Sequence, residues 1–352
     1  MILGREKYFF AGGNTPYGFV NFFSDISTKD DDKLYILKGG PGTGKSNLMK
    51  NISKAAVLDG YDVENILCSS DPDSFDGIRI PELGKIIIDG TLPHSMDMIF
   101  PGIRDRIINL ADFLNEDPLK KDSDTILDLS SQKASLYSRA YNYLKAAKSI
   151  QENIDNVMEE SFSKGKLNIF IQTLCNNFFE DIDISLKNGY IRRMFGTALT
   201  SAGQISKLSS LFNGLKTYAI KCDHGRSGSY VIEQLQNEAV KRGFIVWSLR
   251  CPFAPSQPDH IIIPKLSIAF TIHNKYHTET ECDIYGEYLI DSYHNDLIIY
   301  DLGQIQELLN KATNCFEEIR LIHKKIEGYY TPNMNFEYID HLCDNLKEEI
   351  FN

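Results

Sequence analysis

Shifted by 183 residues, the sequence lies over itself without a gap. Residues 34–91, beginning LYILKGGPGTGKSNLMK, align with 217–274, beginning TYAIKCDHGRSGSYVIE, at 15 identities in 58 positions. The identities include Tyr35/Tyr218, Ser46/Ser229, Gly60/Gly243, Cys68/Cys251, Asp76/Asp259 and Pro81/Pro264. Self-similarity over such a stretch means one supersecondary unit used twice. Upstream, FFAGGNTPYGF (9–19) lies over MFGTALTSAGQ (194–204), and Thr15-Pro16 reads as an N-cap with proline at the first helical position. Downstream, YLKAAKSIQENID (143–155) matches CFEEIRLIHKKIE (315–327), both helical by period, and RIINLADF (106–113) falls near LIIYDLGQ (297–304). The expected architecture is α/β: two tandem units with mainly parallel sheets, each followed by a helical segment. The first unit spans 1–188, with its helical appendage at about 97–188. The second spans 189–352, with its appendage at about 278–352.

The first unit carries the one strong motif. Residues 39–46, GGPGTGKS, satisfy G-x-x-x-x-G-K-[ST]. The buried-strand pattern LYIL (34–37) precedes it, and the helical spacing of NLMKNISKAAVLDG (47–60) follows. Glycines let the backbone curl so that successive N–H groups point at phosphate oxygens, and the following helix adds its positive end. Gly39, Gly40, Pro41, Gly42, Thr43, Gly44, Lys45, Ser46 and Asn47 are therefore the expected nucleotide-binding residues. In this chemistry Lys45 neutralises the γ-phosphate and the Ser46 hydroxyl holds Mg²⁺.

Hydrolysis also needs a carboxylate near the metal and a group that orients water. KIIIDGT (85–91) is an apolar strand ending in Asp89, the expected second Mg²⁺ residue. NILCSSDPDS (65–74) places Asp71 and Asp73 past another strand. Asp71 is the candidate to orient water, although D-P-D-S is also ordinary turn composition. LIIYD (297–301) is a rival acid-ending strand, but the repeat assigns Asp301 to the helical part of the second unit.

The second copy has lost this chemistry. Gly44 becomes Ser227, Lys45 becomes Gly228, Asp71 becomes Ala254 and Asp89 becomes Ile272, while Ser229 keeps its hydroxyl. One ATP site, in the first half, is expected. A neighbouring unit can supply an arginine to such a site, and Arg192, Arg193, Arg226 and Arg250 are the candidates. His273, His277, Glu279, Glu281 and Cys282 form a weaker metal reading in a loop-like stretch without the zincin glutamate.

The net charge of −11 argues against general nucleic-acid or anionic-membrane binding. Seven scattered cysteines without a CxxC pair suit a reducing compartment, and no secretory h-region or spanning run occurs, so a cytoplasmic location is expected. The run YFFAGGNTPYGFVNFF, LKGGPGTGKSNLMK, DPDSFD, IPELG and IIIDGTLPH closely resembles a bacterial family of tandem P-loop ATPase-like proteins. In that family the second half also tends to carry a P-loop, and this sequence departs there at HGRSGS. At greater distance it is similar to RecA/KaiC-like ATPases, in which a strand after the P-loop helix ends in a catalytic acid and a later one in the metal-associated Asp. The resemblance implies those places for Asp71 and Asp89. The leading expectation is a Mg-dependent ATPase with one active site and an inactive C-terminal repeat, using ATP and Mg²⁺. Two alternatives are a small-molecule or nucleotide kinase with an acceptor near Thr91–His94, and an ATP-sensing scaffold. A protein partner or self-association is compatible with each.

Overall fold

The computed structural model describes residues 3–28, 31–94, 96–161, 163–222, 227–273, 284–289 and 296–352. The first half runs β1 (Glu6–Phe9), β2 (Gly12–Thr15), β3 (Gly18–Asn21), β4 (Lys33–Lys38), α1 (Lys45–Leu58), β5 (Val63–Leu67), β6 (Phe75–Ile80), β7 (Lys85–Asp89) and β8 (Asp105–Asn109). The helices α2 (Glu116–Lys121), α3 (Ser123–Ser161) and α4 (Lys164–Phe179) follow. The second half runs β9 (Ile191–Met194), β10 (Thr197–Thr200), β11 (Gly203–Ser206), α5 (Leu208–Phe212), β12 (Lys216–Lys221), α6 (Ser227–Lys241), β13 (Val246–Cys251), β14 (Ala254–Ile263), β15 (Ile268–His273) and β16 (Ile284–Leu289). It ends in α7 (Asp296–Tyr330) and α8 (Phe336–Phe351).

Each half builds a six-stranded sheet, β1-β5-β6-β7-β4-β8 and β9-β13-β14-β15-β12-β16, the same order twice. The sheets are mixed. β6 and β14 run antiparallel to both neighbours, and the other pairings are parallel. β6 was not expected: DPDS reads as ordinary turn composition, and here that turn reverses the chain into a new strand. Local details repeat as well. Ser53 Oγ donates to Asn65 Oδ1 at 2.7 Å, and at the matching positions Ser248 Oγ donates to Gln236 Oε1 at 2.6 Å, joining helix to strand with the roles exchanged.

Three sequence expectations differ from the structure. Thr15-Pro16 does not start a helix. Thr15-Pro16-Tyr17-Gly18 turns the β2–β3 hairpin, with Thr15 Oγ1 donating to the Gly18 carbonyl and accepting from Tyr17 N. Thr200 makes the same two bonds in the β10–β11 hairpin, so the hydroxyl caps a turn rather than a helix. The segments read as helical from about 97 and 278 begin with strands, β8 and β16, which complete their sheets beside β4 and β12. RIIN therefore lies in a strand while LIIYD lies in α7, and the two are not counterparts.

Alternation along the strands decides the layering. Tyr35, Leu37 and Ile87 face a core with Leu48, Met49 and Ile52 of α1. Leu34, Ile36, Ile86 and Ile88 face the other way, into a core shared with Ile262, Ala269 and Leu249 of the second sheet. Both faces of each sheet are thus buried, which is why these strands read as continuous apolar runs. The halves also meet at equivalent residues. Phe10 and Phe195 exchange N–H···O bonds of 2.9 and 2.8 Å. Nearby, the fully buried Arg192 is bidentate to Glu64 at 2.9 and 2.6 Å.

The outer helices are exchanged. α4 follows the first sheet, yet its Ile171, Leu174 and Phe179 pack with Val231 and Leu235 of α6. α8 follows the second sheet, yet its Ile339, Cys343, Leu346 and Ile350 pack against α1. The long α3 and α7 lie antiparallel, Ala140 and Leu144 against Cys315 to Ile319, and Ile154 against Ile298 and Leu302. Each crosses to the opposite half before its chain turns back. No helix among the described residues is long and apolar enough to cross a membrane.

Candidate functional site

The loop between β4 and α1 turns through Gly42 (φ 69°) and Gly44 (φ 87°), left-handed conformations that side chains disfavour. Gly44 precedes α1, whose N-terminus has no side-chain cap. Thr43 Oγ1 donates to the Gly40 carbonyl at 2.9 Å and braces the turn, Pro41 lies half-buried on it, and Asn47 is exposed. Lys45 folds back over the loop, donating to the Gly39 and Gly40 carbonyls at 2.7 and 2.8 Å. Its Nζ is also 3.7 Å from Asp89 Oδ2. Burial pulls the Lys45 ammonium below its ordinary pKa, and Asp89 opposes that pull.

Asp89 ends β7, which lies parallel to β4, so the strand pairing itself brings the carboxylate beside the loop. Its Oδ1 accepts from Thr91 N and Thr91 Oγ1 at 2.8 and 2.5 Å, leaving Oδ2 turned toward Lys45. Ser46 Oγ accepts from Phe75 N at 2.9 Å, which ties the start of α1 to β6. Lys45, Ser46 and Asp89 therefore converge on one edge of the sheet. Asp71 is placed differently. It opens the turn before β6, with its carbonyl and Oδ2 both taken by Ser74, and its charge acts on His323 and Glu327 of α7.

Further groups at this edge were not assigned to the nucleotide site from the sequence. Asp76 stands one position beyond the Gly77–Ile88 pair, next to Asp89, and burial pushes its carboxyl up to about 6. His94 Nε2 lies 3.3 Å from Asp76 Oδ2. Glu327, Tyr330 and Thr331 come from the far end of the chain. A Cβ on Gly40 would stand 3.0 Å from the Tyr330 ring, and one on Gly42 2.5 Å from Thr331 Oγ1 and 3.2 Å from the Glu327 carbonyl. Burial, then Asp71, push the Glu327 carboxyl above its ordinary pKa, and the nearby Gly42 backbone opposes that shift. The identity Asp76/Asp259 was visible in the repeat. The approach of α7 was not, because it depends on the helix exchange.

At the matching edge of the second half the charged pair is replaced by apolar packing. Cys222 stands in the place of Gly39, and a Cβ on Gly228 would meet Cys222 Sγ at 2.5 Å and Ile272 Cδ1 at 3.3 Å. Ser229 Oγ donates to Asp259 at 3.1 Å. Above it, Asp155, Met158 and Glu159 of α3, Lys164 of α4 and Tyr230 of α6 enclose a cavity of about 420 Å³.

Of the candidate arginines, Arg192 is held by Glu64, Arg193 by Asp25 and Arg250 by the Ser256 carbonyl. Arg226 lies outside the described residues, as do His277, Glu279, Glu281 and Cys282 of the weaker metal reading. Comparison of the chain with models of known families, with curated proteins and with solved structures finds no match.

Proposed function

We propose that the chain is a Mg-dependent ATP-binding protein and ATPase with one nucleotide site, in its first half, and that each half is a RecA-like unit. The observation that carries this reading is the 3.7 Å approach of Lys45 to Asp89 across a loop with two left-handed glycines. The loop's backbone N–H groups and the uncapped start of α1 are suited to hold phosphates. Lys45, freed from the Gly39 and Gly40 carbonyls, would reach the terminal phosphate. The residues present fit a magnesium ion: Asp89 Oδ2 is turned away from Thr91, and the Ser46 hydroxyl has a hydrogen and a lone pair beyond its bond to Phe75. Mg²⁺, when bound, would neutralise charge on the β- and γ-phosphates.

The covering by α7 favours a switch-like reading of the same site. Tyr330 lies against Gly40, and Thr331 and the Glu327 carbonyl lie against Gly42, so nucleotide entry would displace the end of α7. Asp71 would then report on α7 rather than orient water. The Thr91–His94 segment is engaged in structure, Thr91 on Asp89 and His94 on Asp76, which disfavours the acceptor role required of a kinase.

Equilibrium dialysis beside a phosphate-release assay tests the proposal. Wild type should bind one MgATP per chain. Lys45→Ala should weaken binding at least about 100-fold, a loss of roughly 2.7 kcal/mol, and reduce turnover to background. Two MgATP per chain, with the second surviving Lys45→Ala, would sink it.

A further inference from the structure

Beside the nucleotide edge lies a cluster with different chemistry. One ligand atom each from Cys68, Asp76 and His94 lies within 4.8 Å of the others. Asp76 and His94 are more than nine-tenths buried; Asp76 Oδ2 makes no hydrogen bond and has only His94 Nε2 3.3 Å away, and His94 Nδ1 has no hydrogen-bond partner. Buried polar atoms left in this state are costly unless something else engages them. Phe19 and Phe23 hold the imidazole edge-on, each with its ring centre 5.1 Å away, so the ring is fixed in place.

We propose that Cys68, Asp76 and His94 form a binding site for a transition-metal ion of the zinc type, separate from the magnesium site. A thiolate, an imidazole and a carboxylate are the donor set of a borderline-soft cation. Magnesium prefers oxygen ligands alone. Three protein ligands leave a fourth position of a tetrahedral ion for water.

The repeat points the same way. The 183-residue shift pairs Cys68 with Cys251 and Asp76 with Asp259, and it carries His94 onto His277. All three residue types are present in both halves, whereas Lys45 and Asp89 are present in one. The set is therefore separable from nucleotide chemistry. The structural position of His277 is outside the described residues.

The test uses the full chain, stripped with chelator and titrated with Zn²⁺ and, separately, Co²⁺. Saturable binding is expected, with a thiolate-to-cobalt charge-transfer band. Cys68→Ser should abolish that band, and His94→Gln should weaken binding at least about 100-fold, the upper end of what even outer-shell changes cost. Lys45→Ala should leave metal binding unchanged, which keeps this result independent of the ATP proposal. If Cys68→Ser does not fold, His94→Gln decides. Absence of saturable binding would overturn the site. So would unchanged affinity in His94→Gln, or a band lost in Cys251→Ser but kept in Cys68→Ser.

Discussion

At the end of β4 the chain keeps a largely buried ion pair, and among the described residues at the end of β12 there is none. Lys45 and Asp89 meet over a loop that starts at Gly39. At the corresponding positions Gly228, Ile272 and Cys222 close on one another as part of an apolar core. The sheet order is the same in both halves. The missing charged pair leaves no hole between these three residues. A buried lysine without its carboxylate would be costly, so the three changes make sense only together. At these described positions the second half sets carbon and sulfur where the first half sets charge.

That contrast can be pressed hardest through the exchanged helices. Leu346 of α8 packs on the first half and Leu174 of α4 on the second, both fully buried. Each change to alanine should cost about 2–5 kcal/mol in chemical denaturation. Only Leu346→Ala should also weaken MgATP binding, although it lies far along the chain from Lys45. Loss of nucleotide binding in Leu174→Ala alone would break the comparison.

Gly228→Lys asks whether the second site can be rebuilt by its missing residue. The new side chain would drive Cys222 and Ile272 apart, and overpacking should cost about 1–3 kcal/mol. MgATP stoichiometry by dialysis should stay at one per chain. A second nucleotide would mean that only the lysine was missing.

Glu327→Gln probes the competition at the first loop. Removing the negative charge beside the loop relieves repulsion of phosphate, so MgATP affinity should rise, by roughly fivefold for about 1 kcal/mol of like-charge repulsion removed. A fall in affinity by titration calorimetry would show that α7 assists binding instead.

The smallest effect concerns pH. Burial, aided by Lys133, pulls His323 down to about 4. Lys133 can only donate, so His323 Nδ1 accepts at 3.5 Å and the ring is neutral. The unfolded chain takes the proton first, near pH 6.5. The contribution of this residue is therefore complete above pH 6.5 and lost as pH falls toward 4. His323→Gln should flatten that part of the stability profile in thermal melts. An unchanged slope would place the titration elsewhere.

The strand-loop-helix around GGPGTGKS and the 183-residue repeat were legible because both rest on local patterns: turn glycines, apolar runs and their register. Thr15-Pro16 was misread because a threonine hydroxyl caps turns and helices alike, and β8 and β16 because short edge strands carry little pattern. By itself the sequence determined two copies of one α/β pattern, with the candidate chemistry left in the first. Tertiary structure alone decided that the helices change partners. It also decided that Glu327 and Tyr330 sit on a loop almost 300 residues away, and that Cys68, Asp76 and His94 gather beside it. Such contacts have no period to read, since they follow from which apolar face each long helix finds once both sheets have closed on a shared core.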